Sequence, residues 1–222
     1  MEIEISKIQI RVDLNLTSRS AEKLRGFLGR LFWEIPHIHN HDIEGNLIYQ
    51  YPRVQYKVIN NSFLIIGIIE GKEIIKKLFY DLNTLNLEGS WQQIVEHAID
   101  NCKANFGLSV QPCKYRFITP WLALNEMNYE KYQKFGIFSK RKELLENILI
   151  GNLISISKSL GYTVPAKICS NIENTREVII KFKDNSMIGF FGEFSVNFEI
   201  PDYLGIGKSV SRGFGTIIRV QQ

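Results

Sequence analysis

A glycine-rich run near the C-terminus, YLGIGKSVSRGFG at residues 203–215, constrains this chain more than any other stretch. Two Gly-x-Gly pairs bracket a basic, hydroxylated segment of five residues, Lys208 to Arg212. Glycines tolerate positive φ and close approach of another backbone, so N–H groups there can point at an anion while the two cations add charge. The run fits a phosphate-binding loop, and a glycine-rich hairpin turn fits its composition equally well.

Two better-known glycine motifs are excluded by their spacing. Gly207-Lys208-Ser209 ends like a nucleotide-binding P-loop, but the opening glycine of that motif would fall on Asp202. The dinucleotide fingerprint fails as well, because its third glycine would fall on Val210. The following stretch is β-branched, which favours a strand over a helix. We therefore expect a glycine loop that leads into a last strand at 214–220.

Composition bounds the class of protein. At 222 residues the chain has room for two domains of roughly 100 residues each, and 45% apolar residues suffice for a packed core. The formal net charge of +4 favours anionic partners. Three cysteines without a Cys-x-x-Cys pair argue for a reducing compartment, and no apolar run approaches the roughly 20 residues that cross a bilayer. We expect a cytoplasmic protein without a membrane segment.

The first half of the chain alternates between the two kinds of secondary structure. Apolar periodicity and turn residues predict a strand at 3–14, a helix from Ser18 or Ser20 to Pro36, strands at 47–58 and 63–69 joined by Asn60-Asn61, a helix from Gly71, a helix at 90–106 and a strand at 115–119. This is the strand and helix order of a ferredoxin-like or RRM-like domain.

The second half repeats a similar order more loosely. We predict a helix at 140–160, strands at 177–183 and 188–198, and then the glycine loop with the last strand. The predicted fold class is therefore α+β, with tandem ferredoxin-like (RRM-like) domains at 1–118 and 119–222. The second domain carries the C-terminal glycine-rich loop.

Three of the four histidines lie in one predicted loop, His37, His39 and His41. In an extended backbone, residues two apart point the same way, so three imidazoles could share one surface and bind a metal or move protons near neutral pH. HIHNHD is similar to the His-x-His-x-Asp-His ligand set of metal-dependent hydrolases, although the order of its last two residues is reversed. Solvated loop histidines without a role are the third interpretation.

The second predicted strand carries an unusual polar face, with Tyr49, Tyr51, Arg53, Gln55 and Lys57 on one side. Two phenols, a guanidinium, an amide and an ammonium on a solvent-facing sheet could stack bases and contact phosphates. An ordinary exposed sheet with a cross-strand aromatic pair is the alternative.

Four segments together resemble the CRISPR-associated endoribonucleases of the RAMP superfamily, which cut precursor CRISPR RNA within its repeats. These segments are HNH at 39–41, YQYPRVQYKV at 49–58, TPWLALNEMNY at 119–129 and GIGKSVSRGFG at 205–215. The first three are similar to the subfamily with two active-site histidines, and the last is similar to the superfamily's glycine-rich loop.

The resemblance implies metal-independent cleavage of CRISPR repeat RNA by attack of a 2′-OH, giving a 2′,3′-cyclic phosphate and a 5′-OH, with no cofactor. It assigns catalysis to His39, His41 and Tyr49, and leaves open which histidine is base and which is acid. Tyr51 is the alternative to Tyr49. The RNA contacts that we predict are Tyr51, Arg53, Lys57, Lys140, Arg141, Gly205, Gly207, Lys208, Ser209, Arg212, Gly213 and Gly215.

Two other functions stay open at this point. One is a non-catalytic RNA-binding subunit of the same superfamily, and the other is a metal-dependent hydrolase that uses His37, His39 and His41. Family likeness also implies a homodimer or association with other CRISPR effector subunits as partners.

Overall fold

The computed structural model describes residues 1–39, 50–182 and 185–221, and the side chains of His39, Phe182 and Asn185 lie outside this description. The chain divides into two compact units. Glu2–Ala104 and Val210–Gly213 form the N-terminal unit. Met1, Asn105–Ser209 and Phe214–Gln222 form the C-terminal unit.

The N-terminal unit is an antiparallel sheet with helices. Its elements are β1 (Glu2–Val12), α1 (Ser18–Leu31), α2 (Pro36–His39), β2 (Val54–Ile59), β3 (Ser62–Ile68), α3 (Gly71–Asp81), β4 (Thr84–Leu87) and β5 (Ser90–Asn105). The five strands lie in the order β2-β3-β1-β5-β4. This is the ferredoxin-like arrangement, in which β5 takes the place beside β1 and β4 is an additional edge strand.

Local sequence explains most of this unit. Alternating isoleucines of β1 face the core, and the apolar stripe Leu24, Phe27 and Leu28 of α1 packs on the same sheet. Asn60 and Asn61 have positive φ values of 49° and 57°, as a two-residue hairpin turn between β2 and β3 requires. The predicted turn at these two asparagines is present.

The predicted helix at 90–106 is wrong, because this stretch forms β5. Its apolar residues fit a helical period, but its charged residues pair with β1 across the sheet. Lys7 Nζ lies 2.8 Å from Asp100 Oδ2, and Arg11 Nη2 lies 3.1 Å from Glu96 Oε2. These contacts join residues that are distant in the chain, so no local pattern reports them.

The C-terminal unit has a four-stranded sheet. Its elements are β6 (Gly107–Phe117), α4 (Glu126–Lys134), α5 (Phe138–Ser159), β7 (Ser170–Phe182), β8 (Asn185–Glu199) and β9 (Ile217–Arg219). The strand order β7-β8-β6-β9 is that of a ferredoxin-like domain. The glycine-rich run stands where the second helix of such a domain would be.

The boundary between the units differs from the predicted division after residue 118. The strand β6 pairs with β8, where Tyr115 faces Phe194, and with β9, where Phe117 faces Ile217. Both partners follow it in the chain, so β6 belongs with the second sheet and the division falls between Ala104 and Asn105.

The core of the C-terminal unit forms between α5 and the aromatic residues of its sheet. Leu145, Leu149 and Leu153 of α5 are buried at a spacing of four. The ring of Phe117 stacks on Trp121 with centroids 5.1 Å apart.

Within the described ranges, no helix has the length and apolar character that crossing a membrane requires.

Candidate functional site

The glycine-rich run folds back on itself as a loop with several left-handed residues. Gly207 and Gly215 have φ values of +92° and +63°. The N–H of Ile206 donates to the carbonyl of Gly215 at 2.9 Å and closes the base of the loop. A Cβ added at Gly215 would lie 1.9 Å from the carbonyl oxygen of Ile206. Glycine is therefore required here for both conformation and space.

The tip of this loop, a single 3-10 turn at Val210–Arg212 followed by Gly213, belongs to the N-terminal unit. Gly213 has φ +91°, and a Cβ on it would lie 2.9 Å from the carbonyl oxygen of Tyr56 in β2. The missing side chain lets the turn lie directly on β2. This close approach holds the neighbouring Arg212 in position.

The guanidinium of Arg212 lies in a small charged cluster with α1. Its Nη1 is 3.2 Å from Oε1 of Glu22, and about a fifth of the Arg212 side chain is exposed. Arg25, one turn further along α1, has its pKa lowered by burial and by the positive charge of Arg212. Two guanidiniums thus repel each other beside the carboxylate of Glu22, the one acidic side chain that the described residues place there. A phosphate would relieve this repulsion, because its oxygens accept from both cations.

Tyr56 connects this cluster to the predicted histidine loop. Its ring is fully buried, and its hydroxyl donates to the carbonyl of Ile38 at 3.0 Å. Burial raises the pKa of the Tyr56 phenol, so it stays a donor at neutral pH. Ile38 lies between His37 and His39 in α2. The bond therefore fixes the backbone of the short helix α2, which directly precedes residues 40–49.

The predicted polar face is buried and not solvent-facing, and two of its residues, Tyr51 and Arg53, precede β2. Tyr51, Arg53, Gln55 and Lys57 are all buried, and Lys57 has no exposed surface. Arg53 Nε lies 2.9 Å from Oε2 of Glu70. The prediction of a solvent-facing side was wrong because alternating polar residues on a strand usually indicate a solvated face. Here the tertiary structure covers these side chains. Their role as RNA contacts stays a prediction.

Lys57 is the most unusual of these side chains. Its ammonium donates to Oε1 of Gln55 at 3.0 Å, and no carboxylate among the described residues pairs with it. Burial lowers the pKa of Lys57 to about 7. The amine can therefore exchange its proton near neutral pH, or hold a positive charge that an incoming anion would stabilise.

The remaining predicted RNA contacts fall into two groups. Lys140 and Lys208 are exposed, and Ser209 has a φ of +56° within the loop. Arg141, in contrast, is used inside the C-terminal unit, because its Nε donates to the carbonyl of Phe135 at 2.7 Å and its guanidinium lies over the Tyr132 ring. Arg141 therefore joins α4 to α5, a structural role that its position in a basic run did not indicate.

The predicted catalytic side chains lie outside the described residues. His41 and Tyr49 fall in the segment 40–49, and only the backbone of His39 is described. His37 is described, and its Nδ1 is buried with no hydrogen-bond partner among the described residues. No group of three metal-ligating side chains occurs in the ranges the structure describes. The metal alternative depends on His39 and His41, so it stays a prediction too.

Sequence analysis missed three members of this cluster, Glu22, Arg25 and Tyr56. The sequence of α1 contains four cations, but nothing in its pattern distinguishes Arg25 from the others. Tyr56 falls between Gln55 and Lys57 and so on the opposite side of the strand from the polar face. Only the return of the chain at Val210–Gly213 brings these residues together.

Comparison with known proteins places the chain in a family. Residues 1–105 match the Cas6b N-terminal domain and residues 107–220 match the Cas6b C-terminal domain. An uncharacterized protein of Methanocaldococcus jannaschii is 44% identical over 146 residues, 66% of this chain and 99% of that protein.

Several solved structures match this chain along its whole length. A structure described as Cas6b is 40% identical with a TM-score of 0.92, covering 99% of this chain and 100% of the other. A second, described as the CRISPR RNA processing endoribonuclease Cas6b, is 38% identical with a TM-score of 0.80 at the same coverage. A type IV Cas6 crRNA endonuclease, Csf5, shares the fold at 11% identity with a TM-score of 0.65 and full coverage of both chains. The chain belongs to the Cas6b family.

Proposed function

We propose that this protein is an endoribonuclease that cleaves precursor CRISPR RNA within its repeats, without a metal ion. The proposal draws on family membership and on one observation of the structure. Arg212 of the glycine-rich loop and Arg25 of α1 form a cationic pair in the same unit as α2, the helix that contains His37 and His39. Such a pair supplies the positive charge that a reacting phosphodiester requires.

The chemistry follows from the groups available. The 2′-oxygen attacks the adjacent phosphorus, the bond from phosphorus to the 5′-oxygen breaks, and a 2′,3′-cyclic phosphate and a 5′-OH result. One imidazole of the His39 and His41 pair accepts the 2′-OH proton, and the other donates a proton to the departing 5′-oxygen. Tyr49 is a third active-site group. Arg25 and Arg212 stabilise the extra charge on the phosphorane oxygens.

A substrate with one altered nucleotide tests this mechanism directly. A repeat RNA carrying a 2′-deoxy sugar at the cleaved position should bind normally but stay intact, since the attacking group is missing. Cleavage of the unmodified repeat should continue in EDTA and leave an end that resists periodate. A hydrolase that activates water with a metal would cut the deoxy substrate and stop in EDTA, which would refute the proposal.

Variants of the histidines test the assignment. His39→Ala and His41→Ala should each abolish cutting and keep most of the RNA affinity, with His97→Ala as control. His97 lies in β5 against the ring of Phe79, with centroids 4.5 Å apart, and we give it no catalytic role. Binding of repeat RNA by the wild-type protein with no product at all would instead identify a non-catalytic RNA-binding subunit.

A further inference from the structure

An exposed tryptophan lies against helix α1. Trp91, near the start of β5, is 66% exposed. Its ring makes an edge contact with Phe27 of α1, with centroids 6.1 Å apart and planes at 84°. An ion pair of 2.8 Å between Lys23 and Glu88 attaches the β4–β5 turn to the same helix. The indole is thus held in place while most of its surface is open.

The helix face beside this indole carries two cations, of which Lys23 is paired with Glu88. Lys23, Phe27 and Arg30 are four and three residues apart, so they follow one another along one side of α1. Arg30 is exposed and has no ion pair within the ranges described. The helix carries four cations and one carboxylate over its 14 residues. An anionic partner with an apolar, planar part would match this combination of charge and indole.

The backbone of α1 is also open at this place. Among the described residues outside the backbone of the helix, a Cβ added at Gly26 would meet only Nη1 of Arg30, at 3.8 Å. Glycine within a helix costs about 1 kcal/mol relative to alanine, and here no packing contact among the described residues requires it. The bare backbone leaves room for a ligand chain to approach the helix closely.

We propose that Trp91 is a stacking platform for an unpaired base of the RNA, and that Arg30 binds a phosphate beside that base. The proposal rests on the function proposed above and identifies the bound region as single-stranded. Bases inside an RNA duplex already stack on one another and expose no face, whereas an unpaired base can lie on an indole. The phosphates on either side of that base supply the negative charge that α1 attracts.

Tryptophan fluorescence tests the contact on the full-length protein. The chain has three tryptophans, and Trp121 is buried with 1% of its surface exposed. In a Trp33→Phe background, Trp91 is therefore the one accessible reporter. An oligoadenylate of about twelve nucleotides should quench its emission with saturation, and an RNA duplex of the same length should quench it much less. Stronger quenching by the duplex would overturn the proposal.

Affinity measurements complete the test. Trp91→Ala should weaken oligoadenylate binding by roughly 5- to 150-fold, and Trp91→Phe should weaken it less because a ring remains. Arg30→Gln should lower the salt dependence of binding by about 0.7 in log–log slope. The matched control is Tyr80→Ala, which removes an aromatic ring that is 78% exposed and makes an edge contact with Phe79. We expect it to leave affinity unchanged.

The outcomes separate this inference from the proposed function. If Trp91→Ala and Trp91→Phe bind the oligonucleotide like the wild type while repeat RNA is still cut, Trp91 is not a base platform and the nuclease assignment stands. If the wild type cuts no repeat RNA but the oligoadenylate contact depends on Trp91, the platform stands and the nuclease assignment fails. Circular dichroism of each variant checks that the fold is retained.

Discussion

Among individual residues, Lys57 is a fully buried ammonium whose charge is costly to the folded state. A buried ammonium with one amide acceptor is destabilising, and folding is more favourable when the amine is neutral. The pKa of Lys57 is about 7 in the folded chain, below its ordinary value of 10.5. Between these two pH values the unfolded chain binds one more proton than the folded chain. Stability should therefore rise with pH across this window.

Lys57→Met removes the buried charge and tests this directly. We expect the variant to be more stable than the wild type at pH 6–7, on the order of a few kcal/mol, because the full penalty applies below the folded pKa. The difference in unfolding free energy should shrink as pH rises towards 10. Urea unfolding at several pH values measures it. A difference independent of pH would show that Lys57 is not a buried titrating group.

At the scale of elements, the backbone conformation of the glycine-rich loop determines where the guanidinium of Arg212 lies. Gly213→Ala should destabilise the protein by about 1–2 kcal/mol, since φ is +91° and the new Cβ would contact the Tyr56 carbonyl. It should also weaken RNA binding, because the displaced turn carries Arg212. Urea midpoints and RNA titrations measure the two effects.

The matched control for this substitution is Gly151→Ala in α5. A Cβ at Gly151 meets nothing within 4 Å, so alanine should stabilise the helix by up to about 1 kcal/mol and leave RNA binding unchanged. Equal behaviour of the two variants would mean that the close approach at Gly213 is unimportant.

The elements also mark the limit of sequence-based prediction. The hairpin β2–β3 and the helix α5 follow from the Asn60-Asn61 turn and from a leucine spacing of four, both local patterns. The strand β5 was missed because its apolar residues also fit a helix. Its pairing with β1, whose residues lie more than 80 positions earlier in the chain, decides the outcome.

At the scale of the whole molecule, a net charge of +4 and the cationic cluster predict salt-sensitive RNA binding. The logarithm of affinity should fall linearly with the logarithm of salt concentration, because cations displace counterions from phosphates. Arg212→Gln should reduce this slope by about 0.7, the value for one contact with single-stranded RNA. Lys181→Gln, an exposed lysine of β7, should not change it. Affinity that is insensitive to salt would contradict an electrostatic site.

The sequence by itself determined the positions of most strands and helices, the Asn60-Asn61 turn and the motifs of the family. These features depend on residues that are neighbours in the chain, so they can be recognised from spacing. The tertiary structure alone decided that β5 is a strand, that the polar face of β2 is buried, and that Arg212 lies beside Arg25. Each of these results comes from contacts between segments far apart in the chain, whose free energy no local pattern contains.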